Sequence, residues 1–589
     1  MQLQVQAREI ARLPLSLLTR LRLVLFGHED LAGIVFWAAL VGICGALASV
    51  AFREGIRLLE LTFTGQTMGL VNGASRLVWW HRAIVPVIGG VLSGWVLYIL
   101  GSRFVSLKVT DYMEAVLVGD GRISLRGTLL RSASSLLTIA SGGSIGREGS
   151  MVQLSAMVAS RIGQFSRSPV PRLRLLVACG GAAGIAAAYN APISGSLFVS
   201  EIVLGSLSME TFGPLVVASV MSDATIHRFL GYGPVFTVPH VEFASNWELG
   251  FYIILGVLLG HLAPPFLGLL DFTKARFVRL GVRLYWQLGI GGLIVGAISI
   301  FFPQVWGNGY SVIGGILNGE LVGLWLLAVL FAKVAATSAT VGSGAVGGVL
   351  TPTLFIGCAV GSLLGGVLHQ LMPHIVSAPA AYALIGMGGF LSATTLAPLT
   401  SILMIFEMTG DYEIVLPLML ACVTAHYTAK VYRKGKSVYA NSLHAAAATA
   451  DGGDDWRLRT VETLVKPAAG VVPDTATLAE VFDKLPKRPI DRVFVTQGND
   501  LIAWLDPREV LQRMQDAKLD GSATVSSVAR PVEFALAPDM PLTTALEAFL
   551  REQATVLPVT PGQWRNTLLG QVSRSDVMLA IQDRLTYPK

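Results

Sequence analysis

The sequence has 589 residues, of which 53% are hydrophobic and only 14% are charged. Soluble proteins carry about 25% charged residues, so this composition excludes an ordinary soluble enzyme and predicts a multi-pass membrane protein. The net charge of +6 suits basic cytoplasmic loops, and no nucleic-acid partner is expected. The four cysteines all lie in apolar stretches, which predicts neither a disulfide framework nor a metal site. They are Cys44, Cys179, Cys358 and Cys422.

The first 30 residues place Arg8, Arg12, Arg20 and Arg22 among leucine and valine. They contain no small-residue cleavage site, so residues 1–30 are predicted to form an amphipathic cytoplasmic helix rather than a signal peptide. Long apolar segments follow to about residue 430, and several are too short or too rich in glycine to cross a membrane as straight helices. Broken helices are tolerated in a membrane only where the freed backbone lines a cavity.

One such break, residues 141–150, reads SGGSIGREGS and contains the carboxylate of Glu148. An ionisable side chain at membrane depth costs about 3 kcal/mol, so it usually lines a pathway or a site. Glycines let the N–H groups of a helix start approach an anion, which the helix dipole also favours. We therefore expect a buried anion path with Glu148 as its gate. The alternative is a buried ion pair between Glu148 and Arg147.

The sequence also contains an internal repeat. Ala191-Pro192-Ile193 with Glu201 is matched 206 positions later by Ala397-Pro398-Leu399 with Glu407. A second glycine-rich break, residues 342–352, precedes the second copy, as residues 141–150 precede the first. Paired interruptions of this kind indicate the central site of a transporter, with two helix N-termini facing each other. Glu201 and Glu407 themselves are either helix-end anchors or proton carriers.

The motifs resemble those of the CLC chloride channel and transporter family. SIGREGSMVQ resembles the family's GREGP motif, GGVLTP resembles its GxFxP motif, and the two APxxxxLxxxE stretches resemble its helix-hairpin signatures. Tyr439, in KSVYANSL, resembles the tyrosine that closes the inner end of the anion path. The resemblance covers residues 30–445 and is strongest to the bacterial ClcB subgroup. It implies an all-α membrane domain of two inverted halves with broken helices, assembled as a homodimer.

The resemblance also implies roles for individual residues. Glu148 would be the gating glutamate, whose protonation vacates an anion site. The backbone around the two breaks would hold chloride, with the hydroxyl groups of Tyr439 and Thr110 completing the path. The family's GSGIP filter is absent, and KVTDYME stands in its place at residues 108–114. The choice of chloride over other small anions is therefore left open. The backbone positions are Gly146, Arg147, Gly149, Val349 and Leu350.

The candidate proton path is Glu201 and Ile202. Exchangers of the family commonly carry a second glutamate where this chain has Ile202, and an aliphatic side chain cannot relay a proton. A channel-like or weakly proton-coupled chloride conductor is therefore favoured over a fully coupled chloride/proton antiporter. Two other readings are a transporter of another small anion and a serine hydrolase, because residues 142–146 also fit a G-x-S-x-G elbow. No enzyme activity and no required cofactor are expected.

Domain boundaries follow from changes in composition. The membrane domain is assigned to residues 31–440 and a small, polar linker to residues 441–457. Residues 458–522 and 523–584 resemble two CBS modules, in which Ser573 and Asp576 are candidates to bind an adenine nucleotide. A purely structural, dimerising tail is the alternative. Basic residues after the last apolar segment predict cytoplasmic termini in a bacterial inner membrane. They are Lys430, Arg433, Lys434 and Lys436.

Overall fold

The computed structural model divides the chain into two compact units, residues 1–446 and 447–589. Its described residues are 31–67, 69–100, 111–117, 119–231, 233–236, 238, 245, 247–433, 460–484, 492–515, 520, 522–532, 534–552, 554–561 and 567–577. The predicted N-terminal helix (1–30), the linker (441–457), Thr110 and Tyr439 lie outside these ranges.

The described part of the first unit is entirely helical, as the sequence predicts. The helices of its first half are α1 (Leu31–Thr64), α2 (Leu70–Arg76), α3 (Trp79–Trp95), α4 (Tyr112–Leu117), α5 (Leu125–Ala140), α6 (Glu148–Phe165), α7 (Val170–Tyr189), α8 (Pro192–Phe198) and α9 (Met209–Leu230). Those of its second half are α10 (Glu248–Arg279), α11 (Leu284–Phe301), α12 (Tyr310–Leu317), α13 (Gly323–Gly342), α14 (Leu350–Leu371), α15 (Pro379–Thr395), α16 (Pro398–Thr409) and α17 (Val415–Arg433).

Seven helices of the described ranges are long and apolar enough to cross a membrane. Others are far too short, since a crossing takes about 20 residues. For example, α8 has 7 residues and α12 has 8. Short helices leave unpaired backbone groups at their ends inside the protein. The fold is therefore one of long spans that enclose broken segments, as expected from the glycine-rich interruptions.

Glycines set how closely the long helices pack. On α14, a Cβ added to Gly357 or Gly361 would collide with backbone carbonyls of α15 at Gly386 and Tyr382. On α7, a Cβ on Gly180 would lie 2.6 Å from the Cβ of Ala159 on α6. Lipid chains provide no hydrophobic force between helices, so close backbone contact replaces it. These glycines are explained by helix packing.

The sequence repeat is reproduced in the backbone. Asn190 ends α7 in the left-handed region with φ 51° and ψ 43°, and Leu396 ends α15 with φ 60° and ψ 30°. A proline at the first position then starts the next helix in each half, where its missing N–H costs nothing. In the first half, α8 continues into a π-helical turn, Val199–Leu204, whereas α16 stays regular.

The second unit contains two sheets. Strands β1 (Val471–Pro473), β2 (Val493–Gln497), β3 (Asp500–Leu505) and β4 (Arg530–Pro531) form the first in that order. Strands β1 and β2 are parallel, and the other neighbours are antiparallel. Strands β5 (Val556–Val559) and β6 (Gly570–Ser573) form an antiparallel pair. The helices are α18 (Leu478–Lys484), α19 (Pro507–Gln515) and α20 (Leu542–Arg551).

The two hydrophobic cores of this unit exchange chain segments. Val461, from the start of the first predicted module, lies in the core built by residues 536–577. Val525, from the start of the second, lies in the core built by residues 472–510. Backbone hydrogen bonds fix both crossings, from Val461 N to Met540 O (2.9 Å) and from Val525 N to Ala476 O (2.9 Å). Each module thus completes its core with the first few residues of the other.

Candidate anion site

The two glycine-rich breaks end in helix starts that have free N–H groups. Helix α6 begins at Glu148 and helix α14 begins at Leu350. Their N-cap residues, Arg147 and Val349, make no side-chain capping hydrogen bond. The first N–H groups of a helix have no partner within it and carry its positive dipole end. Both helices therefore offer unpaired donors to an anion.

The breaks meet each other directly. Gly146 N donates to Gly348 O at 2.7 Å, and Gly348 N donates to Gly146 O at 2.8 Å. This antiparallel bridge joins the two loops two residues before their helices begin. If the two halves are related by a two-fold axis, equivalent segments of the repeat that meet at the axis must run antiparallel. The bridge fixes the two helix starts in one place, as the sequence repeat predicted.

The carboxylate of Glu148 lies over this bridge and is 2% exposed. An added Cβ on Gly146 would collide with its Oε2, and one on Gly348 would lie 2.9 Å from the same oxygen. Neither carboxylate oxygen accepts a hydrogen bond from a described residue. Glu148 forms no ion pair with Arg147 in the described part of the chain, so the ion-pair alternative is not seen. An unpaired buried carboxylate is costly, as expected for a gate that must also be released.

A cavity of about 320 Å³, here called the Glu148 cavity, opens beside this carboxylate. Gly149, Val349 and Leu350 line it, so three of the five backbone positions predicted to hold an anion share one wall. Asp111 also lines the cavity and follows Thr110 directly in sequence. Arg131 lines the same cavity and offsets the charge of Asp111. Sequence reasoning missed Asp111 and Arg131, although each is a charge close to an apolar segment.

A second cavity, of about 640 Å³, is here called the Arg147 cavity. It is lined by the side of the loop that carries Arg147, together with Arg53 and Tyr310. The two cavities have no lining residue in common, and the chain passes from one to the other between Arg147 and Glu148. Glu148 thus lies at the border between two separate polar spaces.

One face of α13 holds the loop that precedes Glu148. Thr340 Oγ1 accepts a hydrogen bond from Ser144 N (3.2 Å), and Thr337 Oγ1 lies 3.0 Å from Ser144 Oγ. One turn earlier, the buried Lys333 donates from Nζ to the carbonyls of Val305 (2.9 Å) and Gly307 (2.7 Å). Positions 333, 337 and 340 share a helix face. Ser144 is fully buried, so it is a structural residue and not the nucleophile of a hydrolase.

The loop held by Lys333 supports the same glycine-rich break from another side. Trp306 is fully buried, and its ring occupies the space that a Cβ on Gly142 would need. Gly142 itself has φ 97°, which only glycine adopts readily. Lys333, Trp306 and Gly142 thus form a chain of contacts to the Glu148 loop. The one sign of this support in the sequence is Lys333, a charged residue within an apolar segment.

Glu201 and Ile202 line neither of the two cavities. The carboxylate of Glu201 accepts hydrogen bonds from Leu399 N (3.3 Å), Thr400 N (2.9 Å) and Thr400 Oγ1 (2.7 Å). It therefore caps the start of α16. Ile202 lies in the π-helical turn and packs against the hydrophobic core.

Ser573 and Asp576 do lie together in the second unit, but they are bonded within it. Asp576 N donates to Ser573 Oγ (3.0 Å), and Lys466 Nζ donates to Asp576 Oδ1 (2.8 Å). Partial burial would raise the pKa of Asp576, but the hydrogen bonds from Lys466 and Ser573 outweigh it and lower the pKa below its usual value. No cluster of three or more metal-ligating side chains occurs in the described ranges.

Comparison with known families agrees with this geometry. The family model described as voltage gated chloride channel matches residues 89–430, and the CBS domain model matches residues 525–583. The chain belongs to the voltage-gated chloride channel (CLC) family, whose members transport chloride across membranes and are not enzymes. It carries a CBS domain at its C-terminal end.

Among its relatives, a putative chloride channel protein ClcB-like of Ralstonia nicotianae is 51% identical over 411 residues, which cover 69% of this chain and 95% of the relative. The voltage-gated ClC-type chloride channel ClcB of Citrobacter koseri is 40% identical over 408 residues, 68% of this chain and 97% of the relative. The chain is thus similar to bacterial ClcB proteins over about two thirds of its length.

Solved structures share the fold. A slow cyanobacterial Cl⁻/H⁺ antiporter aligns with a TM-score of 0.63 at 24% identity, over 71% of this chain and 99% of that one. A eukaryotic CLC transporter aligns with a TM-score of 0.60 at 19% identity, over 92% of this chain and 97% of that one. The predicted fold class is confirmed: a CLC-like helical membrane domain followed by an α/β tail.

Proposed function

We propose that the chain conducts chloride past the Glu148 carboxylate in a channel-like or weakly proton-coupled manner. The observation that carries this proposal is the Gly146–Gly348 bridge. It brings two uncapped helix starts to one carboxylate, whose oxygens accept no hydrogen bond from a described residue. An ionised Glu148 competes with chloride for these donors. Protonation removes its charge and leaves the donors to the anion.

The weak coupling is argued from the first-half hairpin. A proton that crosses the membrane with chloride needs a chain of titratable groups or waters. Glu201 has both carboxylate oxygens engaged in capping α16, and Ile202 has no group that can carry a proton. Neither residue lines the Glu148 cavity. A proton relay through this pair would have to break the α16 cap in every cycle.

Full chloride/proton antiport is the second candidate. It is favoured by two structural neighbours, a cyanobacterial Cl⁻/H⁺ antiporter and a CLC-type fluoride/proton antiporter. Transport of another small anion is the third candidate, because residues 108–114 read KVTDYME in place of the family's GSGIP filter. In either case the Glu148 region would hold the anion in the same way.

Reversal potentials distinguish these candidates. The full chain is reconstituted in liposomes with a fixed chloride gradient, and the reversal potential is measured with and without a tenfold proton gradient. We expect a potential that follows chloride and shifts little with pH. A shift close to that of a fixed exchange ratio would establish the antiporter instead. Replacing chloride with nitrate or fluoride in the same assay ranks the anions.

We further propose a homodimer in the bacterial inner membrane with both termini in the cytoplasm. The basic residues that follow α17 support this orientation. Cross-linking in detergent tests the dimer, and proteolysis of the tail in intact spheroplasts tests the orientation.

Residues 458–522 are proposed as a first CBS module that pairs with the matched one. Binding of an adenine nucleotide at Ser573 and Asp576 would require Lys466 to leave Asp576 or to contact the phosphates itself.

A further inference from the structure

The Arg147 cavity is much larger than a chloride ion requires. Its volume of about 640 Å³ is twice that of the Glu148 cavity, about 320 Å³. Two guanidinium groups line it, with further amide and hydroxyl groups and no acidic side chain among its described lining residues. The polar lining side chains are Arg53, Arg147, Asn190, Asn308, Tyr310, Ser311 and Asn318.

Neither Arg53 nor Arg147 forms an ion pair in the described part of the chain. Glu54, the acid next to Arg53 on α1, lies 3.8 Å from Arg57 instead. The Nε of Arg147 is buried and donates to no described group. Its guanidinium carbon lies 5.5 Å from the centre of the Tyr310 ring, a cation–π contact that occupies none of its N–H groups.

The donor set selects a class of ligand. A guanidinium offers two parallel N–H groups, which match two oxygens of one oxyanion better than a spherical ion. Two such groups, joined by amide and hydroxyl donors, suit a doubly charged tetrahedral anion. An ion of the size of sulfate or phosphate also fits within the cavity volume of about 640 Å³.

We propose that the Arg147 cavity binds a polyatomic oxyanion of the sulfate or phosphate class, and that this anion hinders chloride from reaching Glu148 on that side. The hindrance rests on the proposed function, whereas the binding does not. The simpler role of the two arginines would be to attract chloride, which needs no oxyanion site.

Binding is tested with sulfate and the purified full chain in detergent. Titration calorimetry in a buffer with a bulky monovalent anion measures sulfate affinity in the wild type, Arg53→Gln, Arg53→Lys and Arg57→Gln. Arg57 is the matched control, since it is one turn away on α1 and pairs with Glu54. We expect Arg53→Gln to weaken sulfate binding at least about tenfold, Arg53→Lys to weaken it less, and Arg57→Gln to leave it unchanged.

Absence of saturable sulfate binding to the wild type, or equal effects of Arg53→Gln and Arg57→Gln, would overturn the site. Chloride efflux from liposomes then tests the hindrance, with sulfate on one face at a time. We expect inhibition from one face only, reduced in Arg53→Gln. Sulfate that binds without slowing efflux overturns the hindrance. A protein that binds sulfate but conducts no chloride refutes the proposed function and leaves the site intact.

Discussion

Glu201 and Glu407 cap each other's halves of the membrane domain. Glu201, at the end of the first hairpin, accepts hydrogen bonds from the start of α16. Glu407, 206 positions later, accepts them from Ile193 N (2.8 Å), Ser194 N (2.7 Å) and Ser194 Oγ at the start of α8. Each carboxylate neutralises a positive helix end of the other repeat. The reciprocal caps tie the halves together, which favours a structural role for both carboxylates.

Removing either cap should therefore destabilise the membrane domain to a similar extent. Glu201→Ala and Glu407→Ala each leave two helix N–H groups and one hydroxyl without a partner, at a cost of about 1–3 kcal/mol. Thermal unfolding of the protein in detergent measures both. Glu210→Ala is the control, because its side chain is exposed on α9. If Glu201→Ala keeps the stability of the wild type but abolishes proton movement, Glu201 is a proton carrier after all.

Glu148→Gln should make chloride flux independent of pH. The amide has the shape of the protonated acid and cannot ionise, so it does not compete with chloride for the helix N–H groups. In the wild type we expect flux to rise as pH falls, because protonation discharges Glu148. Chloride efflux from liposomes between pH 7.5 and 4.5 measures both proteins. A Glu148→Gln variant that retained the pH profile of the wild type would argue against this gate.

Gly146→Ala and Gly348→Ala should reduce chloride flux strongly while leaving the fold intact. The added methyl group takes the space now held by the Glu148 carboxylate and presses on the bridge between the breaks. Gly366→Ala on α14 is the control, since nothing lies within 4 Å of its added Cβ. We expect at least a tenfold loss of flux at 146 and 348 and none at 366. Equal flux in all three would mean that the bridge does not shape the anion path.

Lys333→Met should lower both stability and flux. It removes the donor to the Val305 and Gly307 carbonyls, which belong to buried residues on either side of the buried Trp306. We expect a loss of about 2–3 kcal/mol for the two unpaired acceptors. Lys274→Met, at an exposed position on α10, is the control. Unfolding in detergent and efflux from liposomes are measured on both variants, and unchanged values for Lys333→Met would remove the lysine from the support of the Glu148 loop.

The Lys466–Asp576 pair should make the tail less stable in acid. A pKa lowered in the folded state means that the ionised carboxylate favours folding. Its contribution is complete above the ordinary pKa of 3.8 and disappears as pH falls through the lower folded pKa. The pair is partly exposed, so the effect should stay below about 1 kcal/mol. Pepsin cleavage of the tail is measured from pH 4.5 to 2.5 in the wild type and in Asp576→Asn. The variant should be cleaved faster at pH 4.5, and the ratio of the two rates should fall towards one at pH 2.5.

The sequence by itself determined the membrane class, the repeat and the two breaks, and it marked Glu148 as the candidate gate. These features are local: apolar runs, glycines at helix starts and a carboxylate where lipid excludes charge. The equivalence of Glu201 and Glu407 was also marked, by their offset of 206 positions. The crossed cores of the tail were not, because the first residues of each module have no strong pattern of their own.

Only the tertiary structure decided how the breaks are joined and what supports them. The Gly146–Gly348 bridge depends on two segments some 200 positions apart, and no local pattern specifies which backbone groups pair. No local pattern predicts that Lys333 binds the carbonyls next to Trp306, or that Arg53 lines the same cavity as Arg147. Sequence marks a buried charge as unusual, but the identity of its partner follows from which helices pack together. That packing is set by the whole set of helix contacts.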